Sequence, residues 1–284
     1  MRLALSLIIL SLSLSGNAQE LKSYQLYNSD NEAIGFSEMI EELSTADVIL
    51  FGELHNNPIC HWLQFELTNQ LYSKDSNMVL GAEMFETDNQ KPLDLFLMDS
   101  IDLKGLDTLA RLWPNFETDY LGLVNFARDN ELPFIATNIP RVYARQVFKQ
   151  GIQSLDTLDD SIKAWIAPLP MPYDGSLPAY QAMLEMMEGH GGENFPKAQA
   201  IKDATMAHFI VLNLPKEGIF IHYNGDYHSK DFEGISWYLN QYAQDLKIMT
   251  ISTQIQDNVS PLDSANAGHA DFTLVVDGQV TTSY

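Results

Sequence analysis

Six apolar runs of strand length, separated by longer stretches with helical spacing, constrain this chain more than any other feature of it. They are Val48-Ile49-Leu50-Phe51, Val79-Leu80-Gly81-Ala82, Phe134-Ile135-Ala136, Ile219-Phe220-Ile221, Ile248-Met249-Thr250-Ile251 and Thr273-Leu274-Val275-Val276. Runs that are apolar throughout, rather than alternating, suit strands covered on both faces. Between them, residues 58–74 place Ile59, Trp62, Leu63, Phe65, Leu67 and Leu71 on one broad face behind Pro58, which favours the first turn of a helix. Residues 199–214 and 232–243 carry similar patterns. Strands alternating with helices require crossover connections, so the expected fold is an α/β three-layer sandwich around a central, mainly parallel sheet.

Residues 167–196 break this rhythm. Pro168, Pro170, Pro172, Pro178 and Pro196 exclude a central strand, and Gly175, Gly189, Gly191 and Gly192 loosen the rest. The segment reads as a helical and irregular insertion packed over the sheet edge, a candidate lid, in which Met171, Met183, Met186 and Met187 fill an uneven gap. The expected organisation is a signal peptide at 1–18 and a single domain at 19–284 that includes this insertion.

The signal peptide is read from Arg2, the apolar stretch Leu3 to Leu14, and the small residues Gly16 and Ala18 that suit a cleavage site. The stretch is too short to span a bilayer, where about 20 apolar residues are needed. A periplasmic or secreted location is therefore expected, without membrane insertion. The only cysteine is Cys60, so no lipid-acceptor thiol follows the cleavage point and no intrachain disulfide can form. Cys60 itself reads as a small buried hydrophobe. The net charge of -22 repels phosphate backbones and anionic headgroups, which argues against nucleic-acid and membrane-surface partners.

Polar residues gather where the apolar runs end. The first run leads into Gly52-Glu53-Leu54-His55-Asn56-Asn57, the second into Glu83, the third into Thr137-Asn138-Ile139-Pro140-Arg141, and the fourth into His222-Tyr223-Asn224-Gly225-Asp226-Tyr227-His228. In a parallel sheet these ends share one edge, where ligands bind. His55 and His228 each follow a glycine by three positions, and that glycine is expected to allow the tight turn that aims the ring inward. Imidazoles there could ligate a metal ion, with Glu53, Glu83 or Asp226 orienting them or acting as general base. Buried after a strand, Glu83 needs a partner, and Arg141 is the expected one. Beyond residue 18 the arginines are Arg111, Arg128, Arg141 and Arg145, a local cluster able to hold an anion in an acidic chain. His190, set among glycines in the insertion, is a further candidate ligand, whereas His61, His208 and His269 read as structural.

Several of these segments together resemble one family. Gly52-Glu53-Leu54-His55-Asn56-Asn57-Pro58, Gly81-Ala82-Glu83-Met84-Phe85-Glu86 with Gln90, Trp113 with Tyr120, Asn138-Ile139-Pro140-Arg141, Ala198-Gln199 with Asp203-Ala204-Thr205-Met206-Ala207, and Gly225-Asp226-Tyr227-His228 look like the ChaN family, in matching order over residues 25–239. That family belongs to a superfamily with the Tiki and TraB proteins and, more remotely, the erythromycin esterases. The resemblance implies haem binding in iron and haem uptake, with a homodimer able to hold stacked haems through tyrosine ligation. Tyr120, Tyr173 and Tyr180 are the tyrosine candidates, and Arg141, Arg145, Tyr120 and His190 the expected cofactor contacts. Tiki-type relatives imply an alternative, a hydrolase dependent on a divalent metal ion, in which His55 and His228 bind the metal and Glu53, His55, Glu83 and His228 form the catalytic set. No GxSxG or HExxH pattern is present, so serine hydrolase and zincin chemistry are not expected.

Overall fold

The structure is a computed structural model that describes residues 21–186 and 192–284. The strands are β1 (Tyr24–Tyr27), β2 (Ala33–Ile34), β3 (Val48–Glu53), β4 (Met78–Glu86), β5 (Phe134–Asn138), β6 (Ile219–Gly225), β7 (Ile248–Gln256) and β8 (Phe272–Asp277). The helices are α1 (Phe36–Leu43), α2 (Pro58–Lys74), α3 (Gln90–Leu97), α4 (Leu103–Leu109), α5 (Leu121–Asp129), α6 (Arg141–Gln150), α7 (Asp160–Lys163), α8 (Pro178–Met186), α9 (Asn194–Leu212) and α10 (Ile235–Tyr242). One eight-stranded sheet runs in the order β2-β1-β8-β7-β3-β6-β4-β5. From β8 to β5 every neighbouring pair is parallel, and β1 and β2 add an antiparallel edge.

All six apolar runs are strands, and each face of the sheet has its own core. Ile49, Phe51, Leu80, Ile221 and Tyr223 point to a core shared with α1 to α5, and Val48, Leu50, Val79 and Phe220 to one shared with α6, α8, α9 and α10. Alternate residues of one strand thus enter different cores, as a period of two demands, and the layers number three. The added strands β1 and β2 are short and sit at an edge. Tyr24 and Gln25 remain half-exposed there, so their sequence lacks the continuous apolar signal of the central strands.

The opposite edge is closed by a side chain. Gln90 Nε2 donates to the Phe134 carbonyl at 3.0 Å, and Gln90 Oε1 accepts from Ala136 N–H at 2.7 Å. One amide thereby occupies the free groups of β5 that would otherwise recruit another strand. Helix α2 begins where expected because Asn57 caps it, accepting from the N–H groups of Ile59 and Cys60, and Pro58 occupies the first turn. Cys60 is fully buried, and burial pushes its thiol up to about 12, which leaves it unreactive.

The described part of 167–196 contributes α8, the first residues of α9 and no strand. Met171 and Met183 are buried with Tyr180 in the core beneath α9 and α10, whereas Met186 is exposed. Glu233 holds the start of α8 by accepting from Ala179 N–H at 2.8 Å. The proposed signal segment lies outside the described residues, as does His190. Among the described residues no helix is long and apolar enough to cross a membrane.

Candidate functional site

The carboxyl ends of β3, β6, β4 and β5 lie side by side, and their polar residues form one connected cluster. Glu53, at the end of β3, is buried and accepts three hydrogen bonds: from His55 Nδ1–H at 2.9 Å, Tyr120 O–H at 2.7 Å and Gln64 Nε2–H at 2.5 Å. Tyr120 reaches it from a π-type turn, Phe116–Tyr120, that precedes α5, and Gln64 from α2. The backbone beside the ring is fixed too, since the His55 carbonyl accepts from His61 Nε2 and Asn115 Nδ2, both at 3.0 Å. His55 is half-exposed and lies edge-on to Trp113, with ring centroids 4.9 Å apart. Its Nε2 has no hydrogen-bond partner among the described residues. Burial alone would lower the His55 pKa, but the hydrogen bond to Glu53 and the charges of Glu83 and Glu53 outweigh it and raise the pKa.

His228 sits between two buried carboxylates. Its Nδ1 bonds Asp203 Oδ1 from α9, and its Nε2 lies 3.2 Å from Glu83 Oε1 at the end of β4. Glu83 Oε2 also accepts from Gly225 N–H at 2.7 Å. Burial opposes the charged ring, but the charges of Glu83 and Asp203 dominate and raise its pKa to about 10, so His228 is an imidazolium at neutral pH. Burial likewise opposes the Glu83 carboxylate, and the adjacent imidazolium overrides it, holding the carboxyl far below the usual range. Deeper in the sheet, burial lowers His222 to about 4, and this neutral ring is wired to Thr137 and Asn224.

Two sequence expectations are corrected here. Glu83 is partnered by His228, not by Arg141. Arg141 instead bonds Glu86 through Nε at 2.5 Å and through its backbone N–H at 3.0 Å, and Arg111 reaches the same carboxylate at 2.8 Å. The strand β4 runs on three residues beyond Glu83 to Glu86, and it is there that the start of α6 meets it. The glycines of the paired GxxH segments serve close approach rather than a tight turn. A Cβ at Gly225 would stand 2.8 Å from the His55 ring, and one at Gly52 would stand 2.7 Å from Asp226 Oδ1. Both glycines lie in ordinary extended backbone at strand ends.

Beside the cluster opens a crevice of about 570 Å³ between α6 and α9. Leu112, Trp113, Ile139, Phe148 and Phe195 form its apolar walls, and Arg141, Arg145 and Lys202 are its cations. Glu83 and Glu86 stand at its inner side. Arg141 and Arg145, four apart at the start of α6, face the crevice together. Neither Arg145 nor Lys202 forms an ion pair among the described residues, in contrast to Arg111, Arg128 and Arg141.

The other candidates fall elsewhere. Tyr120 is buried with its hydroxyl committed to Glu53, and burial together with the Glu53 charge drives its pKa far above the usual phenol value. Tyr173 and Tyr180 stack on each other 5.6 Å apart in the core under α10 and do not line the crevice. Both nitrogens of His228 are engaged, and the described residues contain no group of three or more His, Cys, Asp or Glu spaced to hold a metal ion. The donor set therefore does not fit a divalent ion bound jointly by His55 and His228. Sequence reasoning missed Lys202, Gln64 and the positioning role of His61. The last two had a usable signal, since both lie on the α2 face that packs against the end of β3.

A family model described as haem-binding uptake, Tiki superfamily, ChaN, matches residues 39–239, and the chain belongs to that family. A solved structure of cofacial haem binding to ChaN of Campylobacter jejuni superposes with a TM-score of 0.70 at 19% identity, covering 90% of this chain and 98% of that one. An erythromycin esterase mutant in its open conformation superposes with a TM-score of 0.48 at 12% identity, over 90% of this chain and 83% of the other. A MARTX toxin effector domain from Vibrio vulnificus gives 0.48 at 15% identity, over 88% of this chain and 40% of the toxin chain. No curated protein matches the sequence.

Proposed function

We propose that this chain is an exported haem-binding protein of iron and haem uptake, and that the crevice between α6 and α9 is where it holds haem. The observation that carries the reading is the pair Arg145 and Lys202, cations without a carboxylate partner among the described residues, facing an apolar slot in a chain of net charge -22. An acidic protein that leaves such groups free is suited to a ligand with an apolar body and two carboxylates. The aromatic walls Trp113, Phe148 and Phe195 suit a flat ring system, and Arg145, Lys202 and the free end of Arg141 suit its propionates. When bound, haem would supply an iron centre. His55 does not itself line the crevice but packs against its wall at Trp113, and it is the candidate to ligate iron there because its Nδ1 is fixed by Glu53 and its Nε2 has no partner among the described residues, the arrangement found in ligating histidines.

Export rests on the charged, apolar and small-residue sequence of 1–18. Val142 and Phe148, exposed on α6 at 57% and 38%, support a homodimer that closes over the crevice mouth. Family membership supports haem as the ligand. Titrating haemin into residues 19–284 tests the reading, with a saturable Soret shift expected. A spectrum that stays that of free haem at equal micromolar concentrations would reject it. Export is checked by N-terminal sequencing of the protein recovered outside the cytoplasm, which should begin at Gln19.

A further inference from the structure

Residues 278–284 follow β8 and return to the site. Strand β8 is parallel to β7 and β7 to β3, so β8 ends on the sheet edge that carries His55. At the spacing of neighbouring strands, about 4.8 Å, the turn after β3 lies about 10 Å away, a distance that a few extended residues cover. Two half-buried residues fix the course of the segment. Val280 packs against the core shared with α1 to α5, and Ser283 is bound through both its backbone and its side chain. Gly278, Gln279, Thr281, Thr282 and Tyr284 are exposed. A segment that buries so little adds little to the stability of the whole fold, so its effect is local to its attachments.

Both attachments of Ser283 lead to the turn that carries His55. Its N–H donates to the Asn56 carbonyl at 2.9 Å, on a turn closed by Asn57 N–H on the Leu54 carbonyl at 2.8 Å. Its Oγ donates to Asp119 Oδ2 at 2.8 Å, and the same oxygen accepts from Asn115 Nδ2 at 2.7 Å. Asn115 Nδ2 also donates to the His55 carbonyl. One serine therefore holds the turn directly at Asn56 and, through Asp119 and Asn115, at His55 itself. Asp119 is buried, so loss of the serine hydroxyl removes a partner that water replaces poorly.

We propose that residues 278–284 are a strap that positions His55, with Ser283 as its positioning residue. The strap holds residues 54–57 where the His55 ring meets Glu53 and where its Nε2 is left without a partner among the described residues. The inference deepens the haem reading, in which His55 is the candidate iron ligand, but the strap acts on the ring before any ligand is bound. Strand β8 and the strap lie beyond residues 39–239, the extent of the family match, so family membership alone does not supply them. The site is thus completed by chain from the far side of the sheet: Glu53 orients the ring from within, and Ser283 fixes the turn from outside.

The ring itself reports on the strap before haem is added. The His55 Nδ1–H proton, held against buried Glu53, should give a downfield NMR resonance, assigned by its loss in His55→Ala, whose exchange with water can be timed. Ser283→Pro removes both donors and should speed that exchange roughly tenfold, and Ser283→Ala, which removes only the hydroxyl, about threefold. Ser283→Thr keeps both donors and should stay within about twofold of the wild type. The Leu50 amide, in the middle of β3, is the control, and its exchange should not change. With haemin added, Ser283→Pro should move the Soret maximum in the direction expected for His55→Ala. Ring-proton exchange untouched by Ser283→Pro and Ser283→Ala, or no protected ring proton in the wild type, would overturn the inference and leave haem binding standing. Equal acceleration at Leu50 would overturn it too, because Ser283 would then act on the whole fold. If haemin does not bind saturably, the haem reading falls while the ring proton still decides the inference.

Discussion

Replacing His228 with Gln removes the one cation held between Asp203 and Glu83 while keeping a side chain of similar reach. Both carboxylates are at least 95% buried, so the substitution strands them rather than returning them to water. Breaking a buried ion pair by removing one partner costs about 3–5 kcal/mol. For a chain of this size each kcal/mol lowers the thermal midpoint by about 2–4 °C, so a fall of roughly 10 °C is expected at neutral pH. The pH dependence identifies the cause. The pKa of His228 is raised from 6.5 to about 10, so its contribution in the wild type is fully present below 6.5 and is lost as the pH rises through 10. In the variant the stranded carboxylates regain neutrality by binding protons, so its deficit should also shrink on acidification. Thermal unfolding followed by circular dichroism from pH 5 to pH 10 should therefore show the largest gap in the middle of the range. A fall of less than about 3 °C at neutral pH, with a gap independent of pH, would mean that His228 is not the buried imidazolium described here.

Three further outcomes follow from the same geometry. Tyr120→Phe removes one hydrogen bond to Glu53, which should cost about 1 kcal/mol of stability and leave the haemin Soret band in place; loss of that band would make Tyr120 the iron ligand after all. Gly225→Ala puts a methyl group 2.8 Å from the His55 ring, so the ring must move, and the spectrum of bound haem should change in the same direction as the change expected for His55→Ala. Arg145→Ala and Lys202→Ala should each weaken haemin about five- to tenfold by fluorescence titration, as expected for losing one charge-assisted contact, and Arg141→Ala should weaken it less because Glu86 already occupies its Nε.

The central sheet was readable in the sequence because its strands are buried on both faces, which leaves unbroken apolar runs such as Val48 to Phe51. Strands β1 and β2 were not, because they are short and bury only Leu26, Tyr27 and Ile34, which leaves no continuous apolar run to mark them. The gathering of Glu53, His55, Glu83 and His228 followed from topology alone, since parallel strands must end on the same edge. Which charge would pair with which did not follow. Glu83 meets His228 rather than Arg141 because β4 continues past its apolar run to Glu86, and the length of a strand beyond that run has no hydrophobic signature. Lys202 escaped notice for a similar reason: a lysine on a long amphipathic helix looks like any solvated charge until the helix is docked against α6.

Haemin and its dimethyl ester, titrated into the wild type and into the Arg145→Ala/Lys202→Ala variant, measure directly whether Arg145 and Lys202, unpaired among the described residues, hold the ligand carboxylates. Esterification removes the propionate charges and leaves ring and iron alone. The wild type is expected to lose at least tenfold in affinity on going to the ester, and the double variant to bind haemin and ester with nearly equal, weakened affinity. An equal loss in both proteins, or haemin bound as tightly by the double variant as by the wild type, would show that haem is not held in this crevice by these residues.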